Sequence, residues 1–477
     1  MSKESEKGQI ILVVIVIASI GVYLFTGFVS WSAVNIQASR RSANRELAFQ
    51  IAEAGVDYYR WHLAHAPTDY QDGTGEEGPY VHDFEDKDGN VIGQFSLDIT
   101  PPLSGSTIVT IESTGEVTTP PIISRTIRTR LAIPSIASYS VVANDEIRFG
   151  EGTEVYGPIH SNYGIRFDGL AHNIVSSSQE EYDDPDHSGS DEFGVHTHVS
   201  PIDPLPPAAI PARPDVFEAG RLVGVPQVDF TGITADLAEI KADAQTDGVY
   251  LPNSGALGYR ILAKTDDTFD VYRVDSLVPI PSGCTLITSQ PGWGTWSVQN
   301  ETFLQNYALP NNDLVFVEDN LWVEGQVDTA RITIASGRFP SNPADYTSIT
   351  INNDLLYSNY DGQDVIGLIS QGNINAGLVS EDDLRIDAAL IAQNGRIGRY
   401  YYRPPSGGSD RCEPYHTRDT ITLYGMLATY ERYGFAYTDG TGYTNRNITY
   451  DANLFYGPPP NFPLTSDQYV TISWEDL

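Results

Sequence analysis

The residues best suited to hold a metal ion are two histidines separated by a single residue. His196 and His198 lie in the stretch GVHTHV. Side chains two residues apart in a β-strand point to the same face, so both imidazoles could reach one ion. Further candidate ligands lie just before them, namely Asp183, Asp184, Asp186, His187, Asp191 and Glu192. The pattern indicates either a metal site or a polar loop whose histidines are simply solvated.

Acidic clusters elsewhere favour calcium as the cation, because Ca²⁺ prefers carboxylate and carbonyl oxygens. The candidates are Asp69, Asp72 and Glu76 in DYQDGTGEE, and Asp361 with Asp364 in YDGQD. No segment has the spacing of an EF-hand loop. The chain contains 63 acidic residues, so such clusters also arise by chance. The sequence therefore requires no cofactor and leaves calcium as the ion that its composition favours.

Enzymatic chemistry has little support in the sequence. Paired carboxylates could cleave glycosidic bonds, but G-x-S-x-G, P-loop, H-E-x-x-H and dinucleotide-binding glycine motifs are missing. His160, in GPIHSN, has the setting of a structural histidine in a β-strand. The tyrosines at 400–402 are interpreted as packing inside the fold rather than as a binding surface. We therefore expect a protein that is not an enzyme.

Net charge and cysteine content narrow the classes of partner and compartment. The formal net charge is −35, which excludes nucleic acid as a partner because its binding requires Lys and Arg at the phosphates. Two cysteines, Cys284 and Cys412, are too few for a disulfide framework. They either form one bridge in an oxidising compartment or remain two free thiols. The sequence leaves both alternatives open.

Residues 10–29 read IILVVIVIASIGVYLFTGFV and contain no charge. Twenty residues of α-helix span about 30 Å, the thickness of the hydrocarbon core of a bilayer. The run is longer than the apolar core of a signal peptide, and an amphipathic pattern follows it in place of a cleavage site. The sequence therefore predicts a single-pass membrane anchor.

The helix is predicted to continue beyond the membrane, over residues 9–66. Apolar residues recur at three- and four-residue spacing up to Leu63, and Pro67 marks the end. Residues 67–134 then alternate apolar and polar positions between turn signals, which predicts a small antiparallel sheet. The apolar stripe of the helix is the natural cover for that sheet. The first part of the chain is thus an α+β unit.

Residues 135–477 are predicted to form a second, β-rich domain. Short β runs alternate with corners rich in Asn, Asp and Gly, and Asn353, Asn373 and Asn394 recur about every 20 residues. A period near 20 residues favours a β-helix-like solenoid, and a β-sandwich is the alternative. Residues 183–275 interrupt the pattern with an acidic, proline-rich stretch, a short helix and a hairpin, and are interpreted as an excursion.

Two short passages flank the apolar run. Lys7, Gly8 and Gln9 precede it, and RELAFQIAEAGVD follows it at residues 45–57. In these passages the N-terminal region resembles type IV pilins, particularly minor pilins of the PilX type. The resemblance implies a leader at residues 1–8 that prepilin peptidase removes between Gly8 and Gln9. It also implies a pilin-like helix-and-sheet head, an anchor in the inner membrane and a body outside the cytoplasm.

The resemblance further implies that the apolar helix packs against other pilin subunits. Positions assigned to this anchor and its packing are Ile10, Val13, Ala18, Gly21 and Phe25. Val13 is a departure, because most pilins carry a glutamate at the corresponding fifth mature position. A subunit with no other subunit ahead of it can dispense with that charge. The departure therefore favours a tip or initiating role over a major subunit, or else no polymerisation at all.

The function expected from the sequence is that of a minor or tip pilin. Such a subunit would assist pilus assembly and present its β-rich domain at the cell surface or on the pilus. The domain would serve adhesion or contact with a surface or polysaccharide. The alternative is a stand-alone, membrane-tethered surface protein or an enzyme that acts on polysaccharide.

Overall fold

The chain is described here from a computed structural model that covers residues 3–102, 106–285, 290–455, 457–466 and 468–477. For residues 3–9 and 231–236 only the backbone is described. The chain divides into two compact units. The smaller contains Met1–Pro101, Val109–Ala132 and Tyr469–Leu477, and the larger contains Pro102–Ile108 and Ile133–Gln468.

The elements, in chain order, are as follows. The α-helices are α1 (Lys3–His65) and α2 (Thr231–Thr246). The strands of the first half are β1 (Tyr80–Glu85), β2 (Val91–Thr100), β3 (Val109–Val117), β4 (Ser124–Ala132), β5 (Val141–Ala143), β6 (Ile147–Phe149), β7 (Thr153–Tyr156), β8 (Ile159–Ser161), β9 (Ile165–Phe167), β10 (Leu170–Ala171), β11 (Val175–Ser177), β12 (Glu181–Tyr182), β13 (Glu192–Phe193), β14 (Val195–His196) and β15 (Arg221–Leu222). Those of the second half are β16 (Val249–Leu251), β17 (Gly258–Ala263), β18 (Thr268–Leu277), β19 (Val298–Ala308), β20 (Leu314–Val317), β21 (Leu321–Val327), β22 (Arg331–Ser336), β23 (Ile349–Thr350), β24 (Leu355–Tyr357), β25 (Val365–Ser370), β26 (Ile374–Ala376), β27 (Asp383–Ala392), β28 (Ile397–Arg399), β29 (Thr417–Thr429), β30 (Gly442–Tyr450) and β31 (Val470–Asp476).

The smaller unit packs the second half of α1 against an antiparallel sheet of order β1-β2-β3-β4-β31. The apolar stripe expected from the sequence is buried at Ala48, Ile51, Ala52, Val56, Tyr59 and Leu63. Gly55 and Gly115 allow the close approach, since a Cβ on Gly55 would lie 2.3 Å from Ser113 Oγ. A Cβ on Gly115 would lie 2.1 Å from the carbonyl oxygen of Ala48. The predicted long helix with a small antiparallel sheet is confirmed.

The C-terminal strand differs from the domain boundary expected from the sequence. Residues 469–477 were predicted to belong to the β-rich domain, but β31 joins the small sheet and pairs antiparallel with β4. Trp474 meets Phe49 edge-on at 5.5 Å between ring centroids. The pairing supplies hydrogen-bond partners to the open edge of β4, which the preceding strands alone would leave exposed.

The larger unit is built mainly from strands that pair in parallel, in register, from one turn of the chain to the next. One ladder runs β16-β20-β22-β25-β27-β29-β5-β8-β11-β15. Its register stacks one column of buried apolar side chains, which are Val315, Ile334, Leu368, Leu390, Leu427, Val141, Ile159 and Val175. The domain is therefore β-rich and largely parallel, whereas the sandwich alternative pairs its strands antiparallel.

The stacking order differs from the chain order. β29 lies between β27 and β5, so residues 141–177 stack onto the C-terminal turns and not onto β16 and the strands after it. The two terminal strands of the ladder are therefore β15 and β16. They are consecutive strands in the sequence, but they lie at opposite ends of the ladder. α2 lies between these two strands in sequence and packs on β20 and β16.

The predicted excursion at residues 183–275 is only partly an excursion. β14 pairs in parallel with β9, β16 with β20, and β17 with β21. The predicted hairpin is present as β17 and β18, which pair antiparallel. β14 and β16 were not recognised in the sequence because they have only two and three residues. The pairing of β17 with β21 joins segments that are distant in the sequence, and a local pattern does not reveal such a pairing.

Candidate functional site

A short hairpin gathers the two candidate metal-binding histidines and two acids. β12 and β13 pair antiparallel and enclose the loop at residues 183–191. β14 follows directly and joins β9. Asp184 comes just after β12, Glu192 lies in β13, and His196 ends β14. His198 follows two residues later, so these four side chains meet; we call them the histidine–carboxylate cluster.

The distances within the cluster are those of direct contact. His196 Nε2 lies 2.9 Å from Glu192 Oε2 and 3.4 Å from Asp184 Oδ2. His198 Nε2 lies 3.1 Å from the same Glu192 oxygen. The candidate ligand atoms of Asp184, His196 and His198 all lie within 4.8 Å of one another. His187 Nδ1 approaches the other oxygen of Glu192 at 2.9 Å.

The cluster is buried and incompletely hydrogen-bonded. His196 is 0% exposed, Asp184 4% and Glu192 5%. Neither ring nitrogen of His196 makes a hydrogen bond, and Asp184 Oδ2 makes none either. Buried polar atoms in native proteins nearly always have a partner, so these atoms require an explanation.

Surrounding groups favour the ionised form of Asp184. Burial favours the neutral form of Asp184, but the His196 imidazole, the Asp186 N–H and the Arg166 guanidinium outweigh it and hold the pKa of this carboxyl well below its usual range. Arg166 also donates from Nε to Asp168 at 2.8 Å. Asp168 in turn accepts the backbone N–H of His198 at 2.9 Å, which positions that residue.

A cleft of about 1000 Å³ adjoins the cluster, and His198 forms part of its wall. Basic residues concentrate there, since the lining includes Arg148, Arg166, Arg396, Arg432 and Arg446. An equal number of acids lines the same cleft, namely Asp145, Glu151, Asp168, Asp186 and Glu431. Arg148, for example, lies 3.6 Å from both Asp168 and Asp186. The cleft can accommodate a charged or hydroxyl-rich ligand. Sequence reasoning missed it, because its walls come from separate segments of the chain.

The two cysteines are joined. Cys284 and Cys412 form a disulfide with a Cα–Cα distance of 4.9 Å, and both are buried. Tyr400 and Tyr402 pack beside them, each 1% exposed. Arg399 is fully buried, and its guanidinium donates to the carbonyls of residues 377, 378 and 415. Tyr400 and Tyr402 therefore belong to an internal cluster around the disulfide.

The anchor positions are all exposed in the isolated chain. Ile10 is 63% exposed, Val13 55% and Phe25 69%. Gly21 has no neighbouring atom within 4 Å of where its Cβ would lie, and Ala18 belongs to the same exposed segment. Gly8 and Gln9 lie in the part of α1 for which only the backbone is described, and residues 1 and 2 of the expected leader fall outside the described residues.

The candidate calcium ligands bond to internal donors. Asp69 accepts the backbone N–H groups of residues 71 and 73. Asp72 contacts His82 at 2.7 Å and accepts a hydrogen bond from Tyr58. Asp364 accepts the N–H groups of residues 330 and 359, and Asp361 that of Gln363. Among the described residues, none of the acids proposed for calcium, including Glu76, belongs to a group of three converging metal ligands.

Comparisons with known proteins add little. No family model matches the chain, and no curated protein does. Among solved structures, the chain is similar to the crystal structure of the competence-associated pilin ComZ from Thermus thermophilus. The identity is 13% and the TM-score 0.31, over 91% of this chain and 97% of that one. A likeness this distant carries no argument about the present chain.

Proposed function

We propose that the chain is a type IV pilin-like subunit, anchored by α1 in the cytoplasmic membrane with both folded units outside the cytoplasm. The observation that supports this most is α1 itself. One unbroken helix exposes its apolar first half and packs its second half on an antiparallel sheet. A pilin uses the first half as membrane anchor and filament core, and the second half as the spine of its head.

The exposed half of α1 requires an apolar environment. Leu12 is 66% exposed, Phe28 64% and Trp31 63%. Burying one large apolar side chain contributes about 1.5–3 kcal/mol, and more than a dozen such side chains follow one another along this segment. Lipid before assembly, and neighbouring pilin helices after it, would cover them.

Within a pilus, the features of the chain favour a minor or tip subunit. Val13 supplies no carboxylate to the amino terminus of another subunit, so the chain is suited to a position with no subunit ahead of it. The parallel ladders of the larger unit support its interpretation as a β-solenoid. Such a domain offers a wide face for adhesion or contact with a surface.

The partners that follow from this role are other pilin subunits, prepilin peptidase and the inner membrane. Ala18 and Gly21 are small residues that permit close helix packing. The net charge of −35 argues against nucleic acid as a partner of the folded units.

The test is mass spectrometry of the full chain recovered from cells that carry a type IV pilus apparatus. We expect a mature terminus at Gln9 in the wild type. The variant Gly8→Val should retain residues 1–8, while Gly21→Ala, a change at another glycine of the same helix, should be processed normally. An intact Met1 in the wild type would overturn the proposal.

A polysaccharide-acting surface enzyme remains the second candidate, and the arginine-lined cleft is the observation that favours it. Asp145 and Glu431 are carboxylates of its lining. Incubation of the full chain with acidic and neutral polysaccharides would then release reducing ends. The double variant Asp145→Asn, Glu431→Gln should abolish that release. Absence of release by the wild type would rule this candidate out for the polysaccharides tested.

A further inference from the structure

We propose that the histidine–carboxylate cluster is a binding site for one divalent transition-metal ion of the zinc class. Asp184, Glu192, His196 and His198 would supply the four ligand atoms. The site is independent of the pilin role, since all four residues lie in the larger unit.

Three of the distances between donor atoms are close to those of a tetrahedral site. Ligands about 2.1 Å from a zinc ion, arranged tetrahedrally, lie about 3.4 Å from one another. His196 Nε2 is 2.9 Å from Glu192 Oε2 and 3.4 Å from Asp184 Oδ2, and His198 Nε2 is 3.1 Å from Glu192 Oε2. Since two of these distances are shorter than 3.4 Å, the side chains would move apart slightly as an ion enters.

The hydrogen bonding points to the same conclusion. His196 is fully buried, yet its Nε2 makes no hydrogen bond although a carboxylate oxygen lies 2.9 Å away. A short N···O distance without hydrogen-bond geometry is the arrangement that two lone pairs aimed at a common ion would give. Asp184 Oδ2 is likewise buried and without a hydrogen bond. A cation at that centre satisfies all of these atoms.

The chemistry of the ligands selects the ion. Calcium and magnesium prefer oxygen ligands, whereas imidazole suits zinc and its transition-metal neighbours. Two neutral histidines and two carboxylates would neutralise a 2+ ion, which offsets the cost of burying both acids. The only two cysteines of the chain are joined in a disulfide, so no thiolate competes for the metal.

The bound ion would connect both ends of the loop at residues 183–191 to β14. Asp184 lies near the start of that loop, Glu192 follows its end, and His196 lies in β14, which pairs with β9. His187, which is 44% exposed at its side chain, holds the outer oxygen of Glu192 and is a positioning residue for that ligand. His198 places one side of the site at the cleft wall.

The full chain, prepared in detergent micelles without a histidine tag and stripped with EDTA, provides the test. Titration calorimetry with ZnCl₂ should give one equivalent per chain, and calcium should not compete. Zinc-edge X-ray absorption should show a first shell of N and O with no sulfur. At free zinc a hundredfold above Kd, the Tm of the larger unit should rise by about 4 °C. Absence of zinc binding by the wild type would overturn the proposal, whatever the variants do.

Variants identify the ligands. Glu192→Gln and His198→Gln should each weaken zinc binding by about 100-fold or more, because each replaces a strong ligand with a weakly coordinating amide of similar size. His172→Gln is the matched control. His172 also lies between two carboxylates, Glu154 at 3.6 Å and Glu218 at 2.8 Å, but these face opposite ring nitrogens. Equal zinc affinity in the wild type and both ligand variants would assign the zinc to another site.

Discussion

Two buried histidines of the larger unit illustrate how surroundings decide what a residue does. His160 is 1% exposed and His196 0%. His160 Nδ1 faces Ser176 Oγ at 3.0 Å and its Nε2 faces Asn162 Oδ1 at 3.2 Å. The ring of His196 faces two carboxylates, and neither of its nitrogens makes a hydrogen bond. Burial alone is therefore no sign of a metal ligand, and converging acids are the informative feature.

His160 makes the stability of the larger unit depend on pH. Burial lowers the pKa of this imidazole, although Asn162 partly opposes the effect. The unfolded chain thus binds a proton more readily than the folded one, near a pH of about 6.5. The contribution is complete above that pH and is lost, at about 1.4 kcal/mol per pH unit, as the pH falls toward the lowered pKa.

We therefore expect His160→Gln to reduce the free energy of unfolding at pH 7.5, and to make its decline between pH 6.5 and 5 shallower than in the wild type. Urea denaturation of the full chain across this pH range provides the measurement. Parallel pH profiles for the two proteins would contradict this account of His160.

The residues of the candidate site could be predicted from the sequence only in part. The spacing of His196 and His198 indicated that both rings could face one point. This prediction depends only on the two-residue repeat of side-chain direction in a β-strand. The same reasoning offered five nearby acids without ranking them. The choice of Asp184 and Glu192 depends on the hairpin of β12 and β13, which are only two residues each.

At the scale of elements, asparagine side chains connect successive turns of the ladder. Asn320 Oδ1 accepts the N–H of Ser348 at 3.0 Å, and Asn373 Oδ1 accepts that of Arg396 at 2.8 Å. Asparagine is one of the few residues besides glycine that tolerates left-handed backbone at a corner. Among the described residues, none of Asn320, Asn353, Asn373 and Asn394 has a positive φ. Their role is to bond across turns.

The stacked apolar column predicts where the larger unit is most sensitive to mutation. Leu390 in β27 is 1% exposed and stacks between Leu368 and Leu427. Leu390→Ala should lower the free energy of unfolding by about 2–5 kcal/mol, because the neighbouring turns cannot close the cavity. Asp383→Ala, at the exposed start of the same strand, is the control and should change it by less than about 0.5 kcal/mol. Denaturant unfolding of the full chain would compare them, and similar losses in both would contradict the stacking.

Elements defined by local pattern were predictable, and pairings between distant segments were not. α1 follows from periodicity within 63 residues, which is why its buried stripe was identified. The antiparallel pairing of β31 with β4 joins segments more than 300 residues apart. The pairing of β29 with β5 is similarly distant. Alternation of apolar and polar residues identifies a strand but does not name its partner.

At the scale of the whole molecule, an exposed apolar helical segment and strongly acidic folded units are joined in one chain. The exposed apolar positions of α1 extend to Trp31, Val34 and Ile36, and the first fully buried residue of the helix is Ala48. The segment before residue 37 therefore contributes little to the packing of the smaller unit. Its composition serves contacts outside the chain, with lipid or with other helices.

A chain that begins at Gln37 should accordingly be soluble and should keep both folded units. The deletion removes the exposed apolar run but leaves the buried stripe from Ala48 to Leu63 in place. We expect it to move from the detergent phase to the aqueous phase on Triton X-114 partitioning, while the full chain stays with the detergent. Its thermal unfolding should lie within about 2 °C of the full chain in micelles.

A longer deletion, beginning at Gly55, is the contrasting control, because it removes Ala48, Ile51 and Ala52 and should unfold the smaller unit. Loss of the native transition already in the chain that begins at Gln37 would mean that the apolar half of α1 is part of the fold and not an anchor.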